Sequence, residues 1–190
     1  LPSPLGRYYL YFADHGGTYI RLASTDALAG PWRVHQPGTL RLEQTACRRH
    51  IASPDVHVDP DRRRILMYFH GPHGDGQRSF LAESADGLEF TADATPLGPF
   101  YFRVFRHGAW HYAIAKAANT DSVLLRSRDG RTPFEAGPHF LPGSRHTAVR
   151  IRGGQLDLFL SRAGDCPEHI QVSRLALVGP WTEWHPTEPE

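Results

Sequence analysis

The residues best equipped for chemistry gather in the stretch His50-Ile51-Ala52-Ser53-Pro54-Asp55-Val56-His57-Val58-Asp59, with His70 at the end of the apolar run Ile65-Leu66-Met67-Tyr68-Phe69 that follows. A carboxylate can accept hydrogen bonds, orient a neighbouring acid or exchange a proton, and an imidazole titrates near neutral pH. Asp55 is the first candidate; its ordinary alternative is a turn-capping aspartate beside Pro54. Asp59 and Asp61 flank Pro60 and read as turn formers. His57 and His107 read more simply as hydrogen-bonding residues of a β protein. His50, His70 and His146 stand closer to positions where a site would be built, and His146 joins Asp55 as a catalytic candidate. The histidines do not follow a metal-ligand spacing.

The elements that must position these residues are strands. Four apolar, aromatic-rich runs, Tyr8 to Ala13, Ile65 to Phe69, His111 to Ala115 and Leu156 to Leu160, are bounded by glycine, proline or charge. Each is followed by a second strand, at Tyr19 to Ser24, Ser79 to Ser84, Val123 to Ser127 and His169 to Ser173, and by a turn that delivers an aromatic residue. Asp86-Gly87 and Asp129-Gly130 are tight-turn signals. Short edge strands are expected at Trp32 to His35, Phe90 to Ala92, Phe134 to Ala136 and Trp181 to Trp184. Leading strands are expected at Asp55 to Asp59, Tyr101 to His107 and His146 to Arg152. The unit recurs every 43 to 60 residues, about the period of propeller blades. The expected fold is therefore all-β, a β-propeller of four-stranded antiparallel meanders in one domain spanning 1–190: a partial blade at 1–40 and blades at 50–98, 99–143 and 144–186. Leu1 to Gly6 is too short and proline-rich for a leading strand, and His185 to Glu190 offers no closing strand, so the rest of a longer chain is expected to complete the ring.

Composition agrees with a globular protein of this kind: 190 residues, 40% hydrophobic, 22% charged, net charge +1. That balance gives no electrostatic pull toward nucleic acid or an anionic membrane. Lys116 is the one lysine, a bias that reads as the codon usage of a GC-rich genome. No apolar run is long enough to span a bilayer and there is no signal-like N-terminus, so the compartment is open, with a lean to the cytoplasm. Cys47 and Cys166 lie far apart and read as reduced thiols.

In a propeller the first strand of each blade lines a central channel, and a site draws residues from several blades. Superposing Val56, Val104 and Val149 aligns Asp55 with Arg103 and Ala148, and Ser53 with Tyr101 and His146. This layer offers a carboxylate, a guanidinium, a phenol and an imidazole, a set suited to a sugar or a carboxylate. His50, His57, His70, Tyr101, Arg103, Lys116, Arg162 and Asp165 are the candidate substrate contacts. Lys116 and Arg162 sit at the same post-strand position as His70; Lys116 reads equally as a rim charge, and Arg162 with Asp165 as a local ion pair. The four tryptophans fit blade packing better than sugar stacking.

With those residues in view, the chain resembles the five-bladed propeller glycosidase superfamily of arabinanases, β-xylosidases, invertases and levansucrases, including glycoside hydrolase family 43. Ser53-Pro54-Asp55-Val56-His57-Val58-Asp59 is similar to a second-blade segment whose aspartate orients the acid. Gly143-Ser144-Arg145-His146-Thr147-Ala148-Val149 is similar to a fourth-blade segment whose histidine lies on the axis, in some members near a divalent ion; no other cofactor is implied. The resemblance implies an oligosaccharide or small glycan as partner, a leading strand before Leu1 and a further blade after Glu190. It also exposes departures. Glycoside hydrolysis uses two carboxyl groups, yet the first-blade base lies outside this chain and Leu97-Gly98-Pro99 stands where the acid glutamate is expected. Leucine cannot transfer a proton; His50, His57, His146 and Tyr101 are the groups able to take over. Three readings stand: a glycosidase-like enzyme, a non-catalytic propeller that binds glycans or proteins, and a metal-dependent lyase-type enzyme using His50, His57 and His146.

Overall fold

A computed structural model describes residues 3–119 and 121–190, so Leu1 and Pro2 of the proline-rich leader lie outside the described residues. The chain forms two compact units, Leu1–Phe100 and Tyr101–Glu190.

The first unit holds two sheets. One has the order β1 (Tyr8–Ala13), β2 (Tyr19–Thr25), β3 (Arg33–Arg41). The other runs β4 (Ala52–Asp59), β5 (Arg64–His73), β6 (Gly76–Ser84), β7 (Thr91–Ala92), with the short β8 (Gly98–Pro99) also on β6. The second unit contains the sheet β9 (Arg103–His107), β10 (Trp110–Ala118), β11 (Asp121–Ser127), β12 (Glu135–Phe140), and the sheet β13 (Ser144–Arg152), β14 (Gln155–Arg162), β15 (Gln171–Ala176). Every pairing is antiparallel between chain neighbours except that of β8 with β6. This is the all-β, meander-built architecture of a β-propeller.

Sequence pattern explains the placement. The central strand β5 is apolar without alternation, and Ile65 to Gly71 is buried throughout, because both faces of its sheet are covered. Its side chains join Ile20, Leu40, Ile51, Phe80 and Phe90 in the first core. The second core gathers Phe105, Tyr112, Ile114, Leu124, Leu158, Leu175, Trp181 and Trp184. The two Asp-Gly turns share one mechanism. Ser84 Oγ accepts from the Gly87 amide at 2.9 Å while Asp86 accepts from Leu88, and Ser127 Oγ accepts from the Gly130 amide at 3.3 Å while Asp129 accepts from Arg131 and Thr132. Both glycines have positive φ, 82° and 69°, which a side chain would resist.

The expected strands are present with shifted ends, and one is corrected. Residues Trp181–Glu183 form a 3-10 turn, not an edge strand. Trp181 packs its ring against Gly137, where a Cβ would come within 2.3 Å of it, and Trp184 Nε1 donates to the Val178 carbonyl; burying both indoles overrides the extended pattern. The segment after them does what the sequence did not promise: Glu190 exchanges two backbone hydrogen bonds with Val172, and the Thr187 amide donates to Arg174, so the chain end runs along the free edge of β15. Trp32 is 39% exposed and so departs from the packing role expected of the tryptophans. Among the described residues no helix is long and apolar enough to cross a membrane. Both cysteines are free thiols.

Candidate functional site

Two groups of candidate side chains assemble, one in each unit, at the starts of inner strands. There the ladders break register. On β4, Ser53 and Pro54 together stand opposite Phe69, between the pairs Ala52↔His70 and Asp55↔Tyr68. On β13, Arg145 and His146 together stand opposite Ser161, between Ser144↔Arg162 and Thr147↔Leu160. Each is a one-residue bulge, a device that re-aims side chains. Ser53 has φ 53° and Tyr101, just before β9, has φ 68°. Non-glycine residues in this region carry strain of about 1–2 kcal/mol, and such strain concentrates at functional sites. The superposition of Ser53 with Tyr101 thus marks a shared backbone feature.

In the first unit Asp55 and His57 are two apart on β4 and share a face. His57 Nε2 lies 2.9 Å from Asp55 Oδ2, with side-chain exposures of 36% and 18%. With the carboxylate oxygen accepting, the imidazole Nε2–H is the donor. His57, which read as an ordinary strand histidine, is therefore the direct partner of the main carboxylate candidate. Its ring meets Tyr68 edge to face at 5.8 Å. The opposite face of β4, Val56 and Val58, lines a cavity of about 440 Å³ with Tyr9 and Tyr11. That cavity lies behind the candidate dyad and holds none of its polar groups.

His50 occupies a separate corner of this unit. Its Nε2 is 3.3 Å from Gln77 Oε1, its ring is 6.4 Å from His70, and the His70 ring is 5.7 Å from Phe100. Two glycines make the room. A Cβ on Gly17 would fall 2.4 Å from His50 Cβ, and one on Gly71 would fall 2.3 Å from the His50 carbonyl oxygen. Leu97, in the segment where the resemblance expects an acid, is 1% exposed, and its amide donates to the Ser79 carbonyl. It is core.

In the second unit Tyr101, Arg103 and His146 come together. The Tyr101 hydroxyl lies 3.1 Å from His146 Nδ1. The Arg103 guanidinium stacks 4.3 Å from the centre of the Tyr101 ring and donates from Nε to the Thr147 carbonyl at 3.0 Å. Burial pushes the His146 imidazole below its usual range; Arg145, Lys116 and Arg103 push the same way, and the Glu168 carboxylate opposes them. His146 is then neutral at pH 7, a proton acceptor more than an acid. Arg145 pairs with Glu168 at 2.8 Å, and Ser161 Oγ donates to the other Glu168 oxygen at 2.6 Å.

Lys116 is not a solvated rim charge. It is 3% exposed, and its ammonium donates to the carbonyl and the hydroxyl of Ser144, which also bonds Ser122 Oγ at 2.8 Å. Burial pushes its pKa down to about 8, against the pull of Asp121. Arg162 and Asp165 do not pair: Arg162 Nε donates to Gln171 Oε1 at 3.1 Å, and Asp165 lies 3.8 Å from His169 Nδ1. Counting from Met67, Ala113 and Leu158, which face the three aligned valines, puts Ser161, not Arg162, in register with His70 and Lys116. Gln77, Ser144, Ser122 and Glu168 were not singled out from sequence. The even spacing of Asp55 and His57 was a usable signal for their pairing, whereas nothing local marks the others.

The surroundings of His146 in this unit do not fit a divalent ion. Cation sites need several oxygen or neutral nitrogen donors, but the charges acting on His146 are three cations and one carboxylate already bonded to Arg145 and Ser161. Among the described residues no three His, Cys, Asp or Glu side chains gather as ligands.

Comparisons with known proteins follow the same line. No protein-family model matches the chain. It is 32% identical over 214 residues to an uncharacterized protein of Acanthamoeba polyphaga mimivirus, covering 96% of this chain and 58% of that one. The chain thus spans little more than half the length of this relative. Among solved structures, a thermostable family-43 glycoside hydrolase superposes with TM-score 0.70 at 14% identity, over 99% of this chain and 70% of its own. The galactose complex of an exo-β-1,3-galactanase from Phanerochaete chrysosporium gives TM-score 0.73 at 14% identity, over 100% and 48%. A family-32 β-fructofuranosidase from Bombyx mori gives 0.66 at 17%, over 98% and 48%. With its register-broken inner strands and meander sheets, the chain carries the fold of the five-bladed β-propeller glycosidases.

Proposed function

We propose that this chain is the site-bearing part of a glycosidase-like propeller that recognises a sugar unit of an oligosaccharide. The observation that carries the reading is the assembly of Asp55 with His57, and of Tyr101 with Arg103 and His146, at bulged or strained starts of inner strands. Paired hydrogen-bonding groups with planar geometry, a carboxylate-held imidazole and a phenol beside a guanidinium, suit the vicinal hydroxyls of a sugar. The galactanase and fructofuranosidase named above act on sugars, which supports the same ligand class.

Recognition is favoured over hydrolysis within these residues because Leu97, in the segment where an acid is expected, is sealed in the core, and Glu168 beside His146 is tied to Arg145 and Ser161. Hydrolysis needs a second carboxyl group to work with Asp55. In that case Asp55 orients His57 in the first unit, and in the second unit the neutral His146 is a proton acceptor. The test is calorimetric titration with neutral oligosaccharides together with a reducing-end release assay. Binding that is lost in Asp55→Asn or in His146→Ala supports the reading; unchanged binding in the two variants, or no glycan bound by the wild type, overturns it. Release of reducing ends favours the hydrolytic form.

A further inference from the structure

We infer that Lys116 is a positioning residue for His146: its buried ammonium grips the peptide that enters the β13 bulge and so sets how the imidazole meets Tyr101. This holds whatever ligand the site takes.

The geometry is specific. The bulge consists of Arg145 and His146, and the carbonyl that enters it belongs to Ser144, whose side chain is fully buried. Lys116, near the end of β10, reaches both the carbonyl and the hydroxyl of that residue. Ser122 on β11 closes the network through the Ser144 hydroxyl at 2.8 Å. Two further backbone bonds brace the approach, Ser144 amide to the Leu141 carbonyl and Ala163 amide to the Gly143 carbonyl. Neither braces the Ser144–Arg145 peptide itself; Lys116 does.

Core filling alone is a poor account of this lysine. A buried ammonium carries a desolvation cost of several kcal/mol, and the Ser144 hydroxyl already has a partner in Ser122 Oγ. A charge-assisted bond to a carbonyl is roughly twice as strong as a neutral one, which suits a peptide held in an irregular strand. The groups around the ammonium set its behaviour. Asp121, next to β11's Ser122, favours the charged form. Arg103 on β9 and Arg145 on β13 have the same sign as Lys116, Glu168 is tied to Arg145, and His146 feels all of them. With Lys116 titrating at about 8, the grip weakens from a charge-assisted to an ordinary hydrogen bond just above neutral pH. Loss of the charge also relieves part of the push on His146.

The test is an NMR titration of the chain from pH 5 to 10, following the His146 ring and the Arg145 and His146 amides. Wild type should show two steps at these signals, the imidazole's own below its usual midpoint and a second near pH 8. In Lys116→Met the second step should vanish, the imidazole midpoint should move up, and the cross-relaxation between the Tyr101 and His146 rings should fall. Lys116→Arg, which keeps the charge, should retain the wild-type imidazole midpoint and lose the step near pH 8. Wild-type signals flat through pH 8 overturn the proposal. So does a Lys116→Met protein with an unchanged imidazole midpoint and ring contact, which would leave Lys116 as packing only. If Lys116→Met does not fold, the wild-type titration decides.

Discussion

Lys116→Met should reshape the pH dependence of stability, and the size follows from the site. Displacement of the lysine from 10.5 to about 8 means that folding disfavours its charged form by roughly 3 kcal/mol. The sign follows from proton binding. Between pH 8 and 10.5 the unfolded chain holds a proton on this lysine that the folded chain has released, so unfolding stability rises with pH. The penalty is fully present below pH 8 and is gone above 10.5. Lys116→Met removes it at neutral pH, but leaves the buried Ser144 carbonyl without its donor, a loss of about 1–3 kcal/mol. The two effects nearly cancel at pH 7, where the variant should lie within about 2 kcal/mol of wild type. At pH 10.5 the penalty has lapsed in wild type, and the variant should be less stable by about 1–3 kcal/mol. Because Lys116 is the one lysine, no other amine side chain titrates in this window. Cys47, which burial pushes up to about 11, is common to both proteins and cancels in the difference. Urea unfolding followed by tryptophan fluorescence, at half-unit steps from pH 7 to 10.5, gives the difference directly. A difference that stays flat across the window refutes the reasoning, since it requires that the ammonium is not desolvated by folding.

Other perturbations act on the same scaffold. Gly71→Ala places a methyl 2.3 Å from the His50 carbonyl and 2.8 Å from Cys47, so it should destabilise by about 1–3 kcal/mol in urea unfolding and alter the His50 ring environment in NMR spectra. Burial works against the Asp129 carboxylate, but hydrogen bonds from Arg131, Thr132 and Ser127 prevail and hold its pKa at about 2. That stability, about 1 kcal/mol once solvent screening of this partly exposed carboxylate is counted, is present above pH 3.8 and is lost as pH falls through 2. Asp129→Ala should therefore lower unfolding stability by this amount at pH 6 and converge on wild type near pH 2. Tyr101→Phe should leave the melting temperature within a few degrees of wild type and weaken sugar binding several-fold by calorimetry, because it removes only the hydroxyl that meets His146. Equal binding by wild type and Tyr101→Phe would remove this tyrosine from the recognition site.

Much of the fold is written locally. Strand runs such as Tyr8 to Ala13 and Ile65 to Phe69 rest on apolar, aromatic composition, and the turns at Asp86-Gly87 and Asp129-Gly130 rest on the φ freedom of glycine and the short reach of serine and aspartate. Those are interactions within a few residues, so the meander repeat and the inner-strand positions of Asp55, Arg103 and His146 are readable in order along the chain. Trp181 to Trp184 shows where that reading stops. The local pattern is extended, but two indoles buried against Gly137 and the second core turn the backbone into a 3-10 turn.

For the site the division is sharper. Residue types and repeat alignment alone place a carboxylate, a guanidinium, a phenol and imidazoles at the starts of inner strands, and the family resemblance adds that Leu97 stands where an acid is expected. Only the tertiary structure decides which of these touch. It pairs His57 with Asp55, brings Tyr101 and Arg103 to His146 across a separation of more than forty residues, and separates Arg162 from Asp165 although they are three apart. It also takes Lys116, which looks like any surface cation in the chain, and closes it against Ser144. The reason is physical: turn and strand preferences are set by near neighbours, whereas burial and hydrogen-bond partnership are set by strands that meet only after the sheets have packed.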